Sequence, residues 1–329
     1  MSISPADVSP GRQERPEILH EEMEKFFVWL AVQKNCSVAT QNAYRSDLEQ
    51  FLAFLVEKRQ RPDAYFRNIG RKDIQAFLAE LFRLNGAKSS MARKLAAIRS
   101  FFKFLQHSGA LKENVARQVR NPRQDRRHPR ALNVDETFAL LNVHAPRDAP
   151  DGKAERLRSR DLALAELLYG SGLRISEALA LNLEDFPGSG NVLRIKGKGG
   201  RERLAPLSDA SLAALSAWLE VRGHFADVRQ QAFFVGARGG RLQRREASRI
   251  IGGLCRRAGL TFTISPHSLR HSFATHLLIA GADLRSVQEL LGHKRLTTTQ
   301  RYTQVSLEHL VTVYDKAHPR SGLQSDGSK

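Results

Sequence analysis

The chain contains very little cysteine. Only Cys36 and Cys255 occur among its 329 residues, and they lie far apart in sequence. Two distant thiols offer neither the paired spacing of a zinc site nor a disulfide framework. We therefore expect both to be reduced thiols in a cytosolic protein.

Long apolar runs are also missing. No stretch approaches the roughly 20 apolar residues that a membrane helix needs. Residues 1–15 combine serine, proline and charged residues without the apolar core of a secretory signal. We therefore expect no membrane insertion and a cytoplasmic location.

Acidic residues are too few to balance the basic ones. The chain has 34 Asp and Glu against 52 Lys and Arg, which gives a net charge of +18 and a pI near 10.5. Such an excess favours a polyanionic partner, with nucleic acid ahead of an anionic membrane surface. The hydrophobic fraction of 41% is enough for packed cores, and the length predicts about two domains.

Apolar periodicity predicts a compact helical unit over residues 17–108, with four amphipathic helices. Residues 109–130 lose this periodicity and carry Pro122 and Pro129, so we interpret them as a basic linker. We expect residues 1–16 to be disordered.

Residues 131–320 predict a second, mainly helical domain. Its first helix begins with the capping-box spacing of Asn133 and Glu136, and a further helix is predicted over residues 160–169. Residues 192–196 and 201–207 predict two short strands around a glycine-rich turn, and 233–235 a third. The predicted fold class is therefore mainly α with a small β-hairpin, followed by a disordered tail at 321–329.

Basic residues cluster in two places that could contact DNA. One group lies on the more polar face of the fourth helix and the other in the linker. A solvated helix face or tether would have the same composition, but seven cations against two anions between Lys112 and Arg130 favour a linker that follows phosphates. The candidate DNA contacts are Lys88, Arg93, Lys94, Arg99, Arg117, Arg120, Arg123, Arg126, Arg127 and Arg130.

Three residues could carry the bond-breaking steps of phosphodiester chemistry. A phenol such as Tyr302, nine residues after His293, can attack phosphorus. His267 can serve as base or proton shuttle because imidazole titrates near neutral pH. Lys198, in the glycine turn of the predicted hairpin, can protonate the leaving 5′ oxygen.

Charge on the phosphate needs compensation from further groups. Arg174 and Arg270 have planar, permanently charged forks suited to bidentate phosphate contact, and His293 can donate a hydrogen bond to the same group. A zinc site at the i,i+4 pair His267 and His271 is a weaker alternative. The glutamate of a His-Glu-x-x-His motif is absent and no carboxylate or thiol cluster lies nearby, so we expect no metal and no cofactor.

Taken in order, these residues resemble the tyrosine recombinase (phage integrase) family, and within it the Xer recombinases. The family's first arginine box is similar to residues 169–177 (YGSGLRISE), and its hairpin lysine corresponds to Lys198. Its His-x-x-Arg box is similar to residues 267–276 (HSLRHSFATH), and its last box to residues 290–293 (LLGH) followed by Tyr302. The resemblance extends from about residue 17 to residue 319.

The resemblance implies a C-shaped, two-domain clamp whose helical core-binding domain holds the far face of the duplex. It implies cleavage through a 3′-phosphotyrosyl intermediate and a Holliday junction, without metal or nucleotide. It also implies a homo- or hetero-tetramer on a double-stranded DNA recombination site, with a related Xer recombinase as partner. The cellular role implied is resolution of chromosome dimers at cell division.

The same resemblance implies a role for the C-terminal end. Residues 311–320 are similar to the family's C-terminal end, which docks on a neighbouring subunit. An ordinary last helix with a frayed end is the alternative for this segment. Three alternatives stay open: a mobile-element integrase, a type IB topoisomerase, and a DNA-binding protein without catalytic activity.

Overall fold

The structure is a computed structural model. It describes residues 17–59, 66–122, 130–143, 152–186, 190–196, 202–292, 312–315 and 317–320. Backbone contacts divide the chain into two compact units, Met1–Arg127 and His128–Lys329. None of the helices in these ranges is long and apolar enough to cross a membrane.

The first unit is built from helices around an aromatic core. Phe26 lies at the centre, and its ring centroid is 5.4 Å from that of Phe101 and 5.7 Å from that of Phe104. Ser37 caps the second helix by accepting a hydrogen bond from the Thr40 amide. The helices are α1 (Glu17–Val32), α2 (Val38–Arg59), α3 (Arg71–Arg83) and α4 (Lys88–His107).

The predicted linker begins inside this unit. Residues Val115–Gln118 form a short 3₁₀ helix, and Ala116 and Val119 are buried in the helical core. Arg99 holds this turn by donating to the carbonyls of Ala116 and Val119. Charge density and prolines obscured these two apolar anchors in the sequence, and residues 115–119 pack as part of the first unit.

The second unit is mainly helical with one small sheet among its described residues. Strands β1 (Val192–Lys196) and β2 (Glu202–Pro206) pair antiparallel, with Lys196 opposite Glu202. This confirms the predicted class, mainly α with a small hairpin. The helices are α5 (Val134–Leu141), α6 (Gly152–Gly170), α7 (Ile175–Ala180), α8 (Asp209–Arg222), α9 (Arg244–Arg257), α10 (Pro266–Ile279) and α11 (Leu284–Leu291).

Helix α6 is the central element of this unit. Every residue from Ala163 to Gly170 is buried, and the helix packs against α8 and α10. It ends at Gly170 against Ser211, whose Oγ would lie 2.1 Å from a Cβ added at this glycine. Only glycine therefore allows this close approach, which fixes where the following turn begins.

Two predicted elements differ in the structure. Helix α6 begins at Gly152, well before the predicted residue 160. The predicted strand at 233–235 is wrong, because this region makes only isolated bridges at Ala232 and Val235. The carbonyl of Phe233 instead accepts hydrogen bonds from Trp218 and Arg222 on α8, which stabilises a buried apolar run without a strand.

The C-terminal segment, defined as residues 312–315 and 317–320, packs against its own unit. Tyr314 is fully buried, and its hydroxyl donates to the Gly170 carbonyl at 2.6 Å. Arg320 pairs with the buried Glu166 at 2.8 Å, and burial raises the pKa of Glu166 to about 7 despite this positive neighbour. Both side chains are thus buried within their own unit, and docking of this segment on a neighbouring subunit stays a prediction.

Candidate active site

Arg174 is placed by a tight turn after α6. Gly172 has a φ of 58°, and a Cβ there would lie 2.4 Å from the Phe273 ring. The turn therefore needs glycine both for its backbone conformation and for contact with α10. Arg174 then caps α7, with its own amide bound by the Glu177 carboxylate at 2.9 Å.

Glu177 is the common acceptor of the site. Its oxygens lie 2.8 Å from Nη1 of Arg174, 2.8 Å from Nη2 of Arg203 and 4.0 Å from Nη1 of Arg270. Burial by itself would raise the pKa of Glu177, but the charge of Arg203 and the hydrogen bonds from Arg174 and Arg203 outweigh it and lower the pKa. Three guanidinium charges against one carboxylate leave two positive charges over, which is an anion-binding arrangement.

The same three arginines bind the end of α11. Arg203 donates to the carbonyl of Leu290 at 2.7 Å, Arg270 to Leu291 at 2.6 Å and Arg174 to Gly292 at 3.2 Å. The last carbonyls of a helix have no partner within the helix and form its negative end. Three consecutive carbonyls thus orient three guanidinium groups that repel each other.

Arg270 is the most enclosed of the two predicted phosphate ligands. It is 9% exposed and also donates to the carbonyl of Gly172, which joins α10 to the turn before Arg174. Burial, together with the charges of Arg174 and Arg203, lowers the pKa of Arg270 to about 10. The guanidinium therefore stays charged at neutral pH.

His267 lies one turn before Arg270 on α10, in the first turn of that helix. Desolvation and the positive charges of Arg244, Arg270 and Arg174 lower the pKa of His267 below its usual value. The imidazole is therefore held in its neutral form near neutral pH, as a proton acceptor requires.

The structure brings Arg174, His267 and Arg270 together. Lys198, His293 and Tyr302 lie outside the described residues. Described residues close in sequence to Lys198 and His293 do reach the site. Strand β2, which follows Lys198, carries Arg203, and Gly292 directly precedes His293.

Three contributors were missed by sequence reasoning, namely Glu177, Arg203 and Arg244. Glu177 had a detectable signal, because a glutamate three residues after the helix-capping Arg174 has capping-box spacing. Arg203 and Arg244 had none, since each looks like an ordinary surface cation in a basic chain.

His276, on the same helix as His267, has a structural role. It is buried, its Nδ1 lies 3.0 Å from the Tyr169 hydroxyl, and its Nε2 lies 2.8 Å from the Leu132 carbonyl. It therefore ties α6 and the start of the unit to α10.

The predicted DNA contacts on α4 differ in their availability. Lys94 is buried and its ammonium binds Asp47 at 3.0 Å and Gln50 at 2.6 Å. Arg93 also pairs with Asp47, while Lys88 is exposed. Lys94 is therefore part of a buried ion pair between α2 and α4 rather than a free surface cation.

The candidate DNA contacts in the linker also differ in whether they are exposed or already paired. Arg117 and Arg120 are exposed, and Arg130 pairs with Glu136 at 2.7 Å and lies over the Phe262 ring. Arg123, Arg126 and Arg127 lie outside the described residues.

An excess of positive charge around Glu177, beside a histidine whose pKa is lowered, is typical of proteins that bind and process phosphate groups. Comparison with known families identifies this protein further. Residues 135–309 match the phage integrase family, and residues 23–109 match the N-terminal SAM-like domain of phage integrases. The chain belongs to the phage integrase family of tyrosine recombinases, which are DNA-cleaving and rejoining enzymes.

Curated relatives agree with this assignment. A tyrosine recombinase XerC of Syntrophus aciditrophicus is 40% identical over 313 residues, covering 92% of this chain and 99% of the relative. A tyrosine recombinase XerC of Myxococcus xanthus is 43% identical over 304 residues, covering 91% and 98%. The predicted resemblance to Xer recombinases is confirmed, and both of these relatives are XerC recombinases.

Solved structures support the fold. A lambda integrase dimer bound to a COC′ core site matches with a TM-score of 0.62 and 19% identity, over 87% of this chain and 99% of that one. A XerH recombinase bound to palindromic difH, in a post-cleavage complex, matches with a TM-score of 0.60 and 20% identity, over 94% and 91%.

Proposed function

We propose that this recombinase cuts and rejoins a specific double-stranded DNA site with Tyr302 as nucleophile. The Tyr302 oxygen forms a bond to the phosphorus and gives up its proton to His267. The bond from phosphorus to the 5′ oxygen breaks, and that oxygen takes a proton from Lys198. The 3′-phosphotyrosyl ester keeps the bond energy, so that a 5′ hydroxyl can later reverse the reaction on another strand.

The observation that carries this proposal is the excess charge around Glu177. Arg174 and Arg270 are each held by a helix-end carbonyl, beside a histidine whose pKa is lowered. Such fixed donors stabilise charge that develops on the non-bridging oxygens, and each is worth about 3–4 kcal/mol of barrier. His293 adds a further hydrogen bond to the same phosphate, and the residues themselves fill each role without metal or nucleotide.

The test is covalent trapping on a nicked suicide substrate, in which the cleaved strand end diffuses away. We expect a covalent protein–DNA adduct with the natural chain and with Tyr44→Phe, a control that removes a phenol from the other unit. We expect none with Tyr302→Phe. An adduct that persists in Tyr302→Phe would exclude Tyr302 as nucleophile.

The proposed assembly is a homo- or hetero-tetramer that exchanges strands through a Holliday junction. A related Xer recombinase is the proposed partner, and resolution of chromosome dimers in the cytoplasm at cell division is the proposed role. The supporting facts are the XerC-named relatives and the DNA-bound structures of related recombinases.

Two further assays separate this role from its alternatives. Recombinant product from two sites distinguishes a recombinase from a type IB topoisomerase, which would only relax supercoiled DNA. Recombination at the native chromosome's candidate site, with and without a second recombinase, distinguishes the chromosomal role from that of a mobile-element integrase.

A further inference from the structure

Arg203 is a buried arginine at the centre of the site. The proposed chemistry gives this arginine no role. It lies on β2, is 8% exposed and points into the unit. One nitrogen of its guanidinium binds Glu177 at 2.8 Å and the other binds the Leu290 carbonyl at 2.7 Å. A single side chain therefore connects the hairpin, α7 and the end of α11.

The packing around Arg203 is closely fitted. Gly292 ends α11 in the left-handed conformation, and a Cβ there would lie 2.8 Å from Cδ and 2.9 Å from Nε of Arg203. Among the described residues, the buried Nε of Arg203 has no hydrogen-bond partner. An unpaired buried N–H costs free energy. The hydrogen bonds to Glu177 and Leu290 and the packing against Gly292 therefore hold the side chain in place, although its Nε–H lacks a hydrogen bond within the described residues.

We propose that Arg203 is a positioning residue, which sets the orientation of Arg174 through Glu177 and of the α11 end through Leu290. The inference rests on the proposed function, since it assigns Arg174 and Arg270 to the phosphate. Without Arg203, the carboxylate loses one of its charged partners and can rotate toward Arg174. The α11 end loses one of the three donors that fix its carbonyls, and with it the anchor points of both phosphate-binding arginines.

A second buried arginine in the same unit, Arg222, serves as a control that distinguishes a positioning role from ordinary packing. Arg222 on α8 is equally buried, at 6% exposure, and within the described part of the chain it donates only to the backbone carbonyls of Gln230, Ala232 and Phe233. Among the described residues, neither Glu177 nor any residue of α11 is a hydrogen-bond partner of Arg222. Arg222→Met therefore removes a buried arginine without disturbing the site.

The first experiment compares Arg203→Met, Arg203→Lys and Arg222→Met. Single-turnover cleavage of a suicide substrate, the Kd for the same DNA and the melting temperature are measured for each. We expect Arg203→Met to slow cleavage by about 10²-fold, the order expected when a reacting group is displaced by about 1 Å. The Kd should be nearly unchanged, because the phosphate-contacting cations remain.

The variant Arg203→Lys tests whether the two-pronged guanidinium of Arg203 is needed, and Arg222→Met tests the effect of losing a buried arginine elsewhere. Arg203→Lys keeps the charge but cannot reach both acceptors, so its cleavage should stay slow. Arg222→Met should lower the melting temperature and, well below that temperature, cleave at the natural rate. Natural cleavage rates in both Arg203→Met and Arg203→Lys would overturn the inference, and so would an equal loss of cleavage in Arg222→Met.

A double-mutant cycle with Glu177→Gln tests the route of the effect. Because one of the two contacts of Arg203 passes through Glu177 and the other through Leu290, the double variant should cleave faster than the product of the two single effects predicts. Multiplication of the two single effects would show independent roles and overturn the inference. Failure of the proposed function can be distinguished from failure of the inference about Arg203. If the proposed function is wrong, the natural chain itself forms no adduct that depends on Tyr302.

Discussion

At the scale of single residues, three arginines that repel each other are held in place by hydrogen-bond acceptors at fixed positions. Arg174, Arg203 and Arg270 would separate if they were free, but one carboxylate and three helix-end carbonyls hold them together. The same positive field acts on His267, where it disfavours the protonated imidazole. Burial is the largest cause of the lowered pKa of His267, and the charges of Arg244, Arg270 and Arg174 lower it further.

This coupling predicts the titration of His267. In the DNA-free protein its pKa should lie below 6.5, so the neutral form dominates at neutral pH. Histidine-labelled NMR spectra measure it, with the His267 signal assigned by its loss in His267→Gln. Arg244→Gln removes one positive neighbour and should raise the pKa. A midpoint at or above 6.5 in the natural chain, or no response to Arg244→Gln, would contradict the electrostatic explanation.

At the scale of elements, the end of α11 is the part that organises the site. Gly292 ends this helix in the left-handed conformation with a φ of 64°, which leaves the last carbonyls pointing at the arginines. The glycine is required twice, once for its backbone conformation and once because Arg203 occupies the space of a side chain.

The two requirements can be measured separately. Gly281 in the same unit also has a positive φ of 93°, but nothing lies within 4 Å of an added Cβ. Gly281→Ala should cost only the backbone strain, about 1–2 kcal/mol of unfolding free energy. Gly292→Ala should cost about 1–3 kcal/mol more through overpacking against Arg203. Denaturant unfolding measures both, and equal losses would show that Arg203 does not restrict this position.

Sequence reasoning recovered the elements whose signals are local. The Asn133 and Glu136 capping box and the hairpin strands agree with the structure. The convergence on Glu177 was not predictable, because Arg203 is 26 residues from Glu177 and 87 from Leu290. Contacts at such separation depend on how helices pack, and spacing in sequence carries no information about them.

The C-terminal segment shows the same limit. Its sequence is similar to a docking segment, yet Tyr314 and Arg320 are buried against α6 of their own unit. An aromatic ring and a charged fork suit either a neighbouring subunit or the chain's own core, and docking on a neighbouring subunit stays a prediction.

At the scale of the whole molecule, the charge of +18 is not uniformly available to DNA. Arg93, Lys94 and Arg99 are engaged by acceptors inside the first unit. Arg117 and Arg120, at the end of that unit, are exposed. Charge that is already paired inside the protein displaces few counterions from DNA, whereas exposed charge displaces about one per phosphate contact.

This distinction predicts the salt dependence of DNA binding. Replacing both Arg117 and Arg120 with glutamine should reduce the slope of log K against log salt concentration by about two, because each neutralised phosphate contributes about 0.9. Fluorescence anisotropy between about 50 and 200 mM salt measures the slope. Arg158→Gln is the matched control, since the Arg158 guanidinium is already bound by Glu155 and the Val143 carbonyl. Its slope should match that of the natural chain. If the double variant also keeps the natural slope, the exposed linker arginines do not contact phosphates, and the electrostatic attraction comes from other parts of the chain.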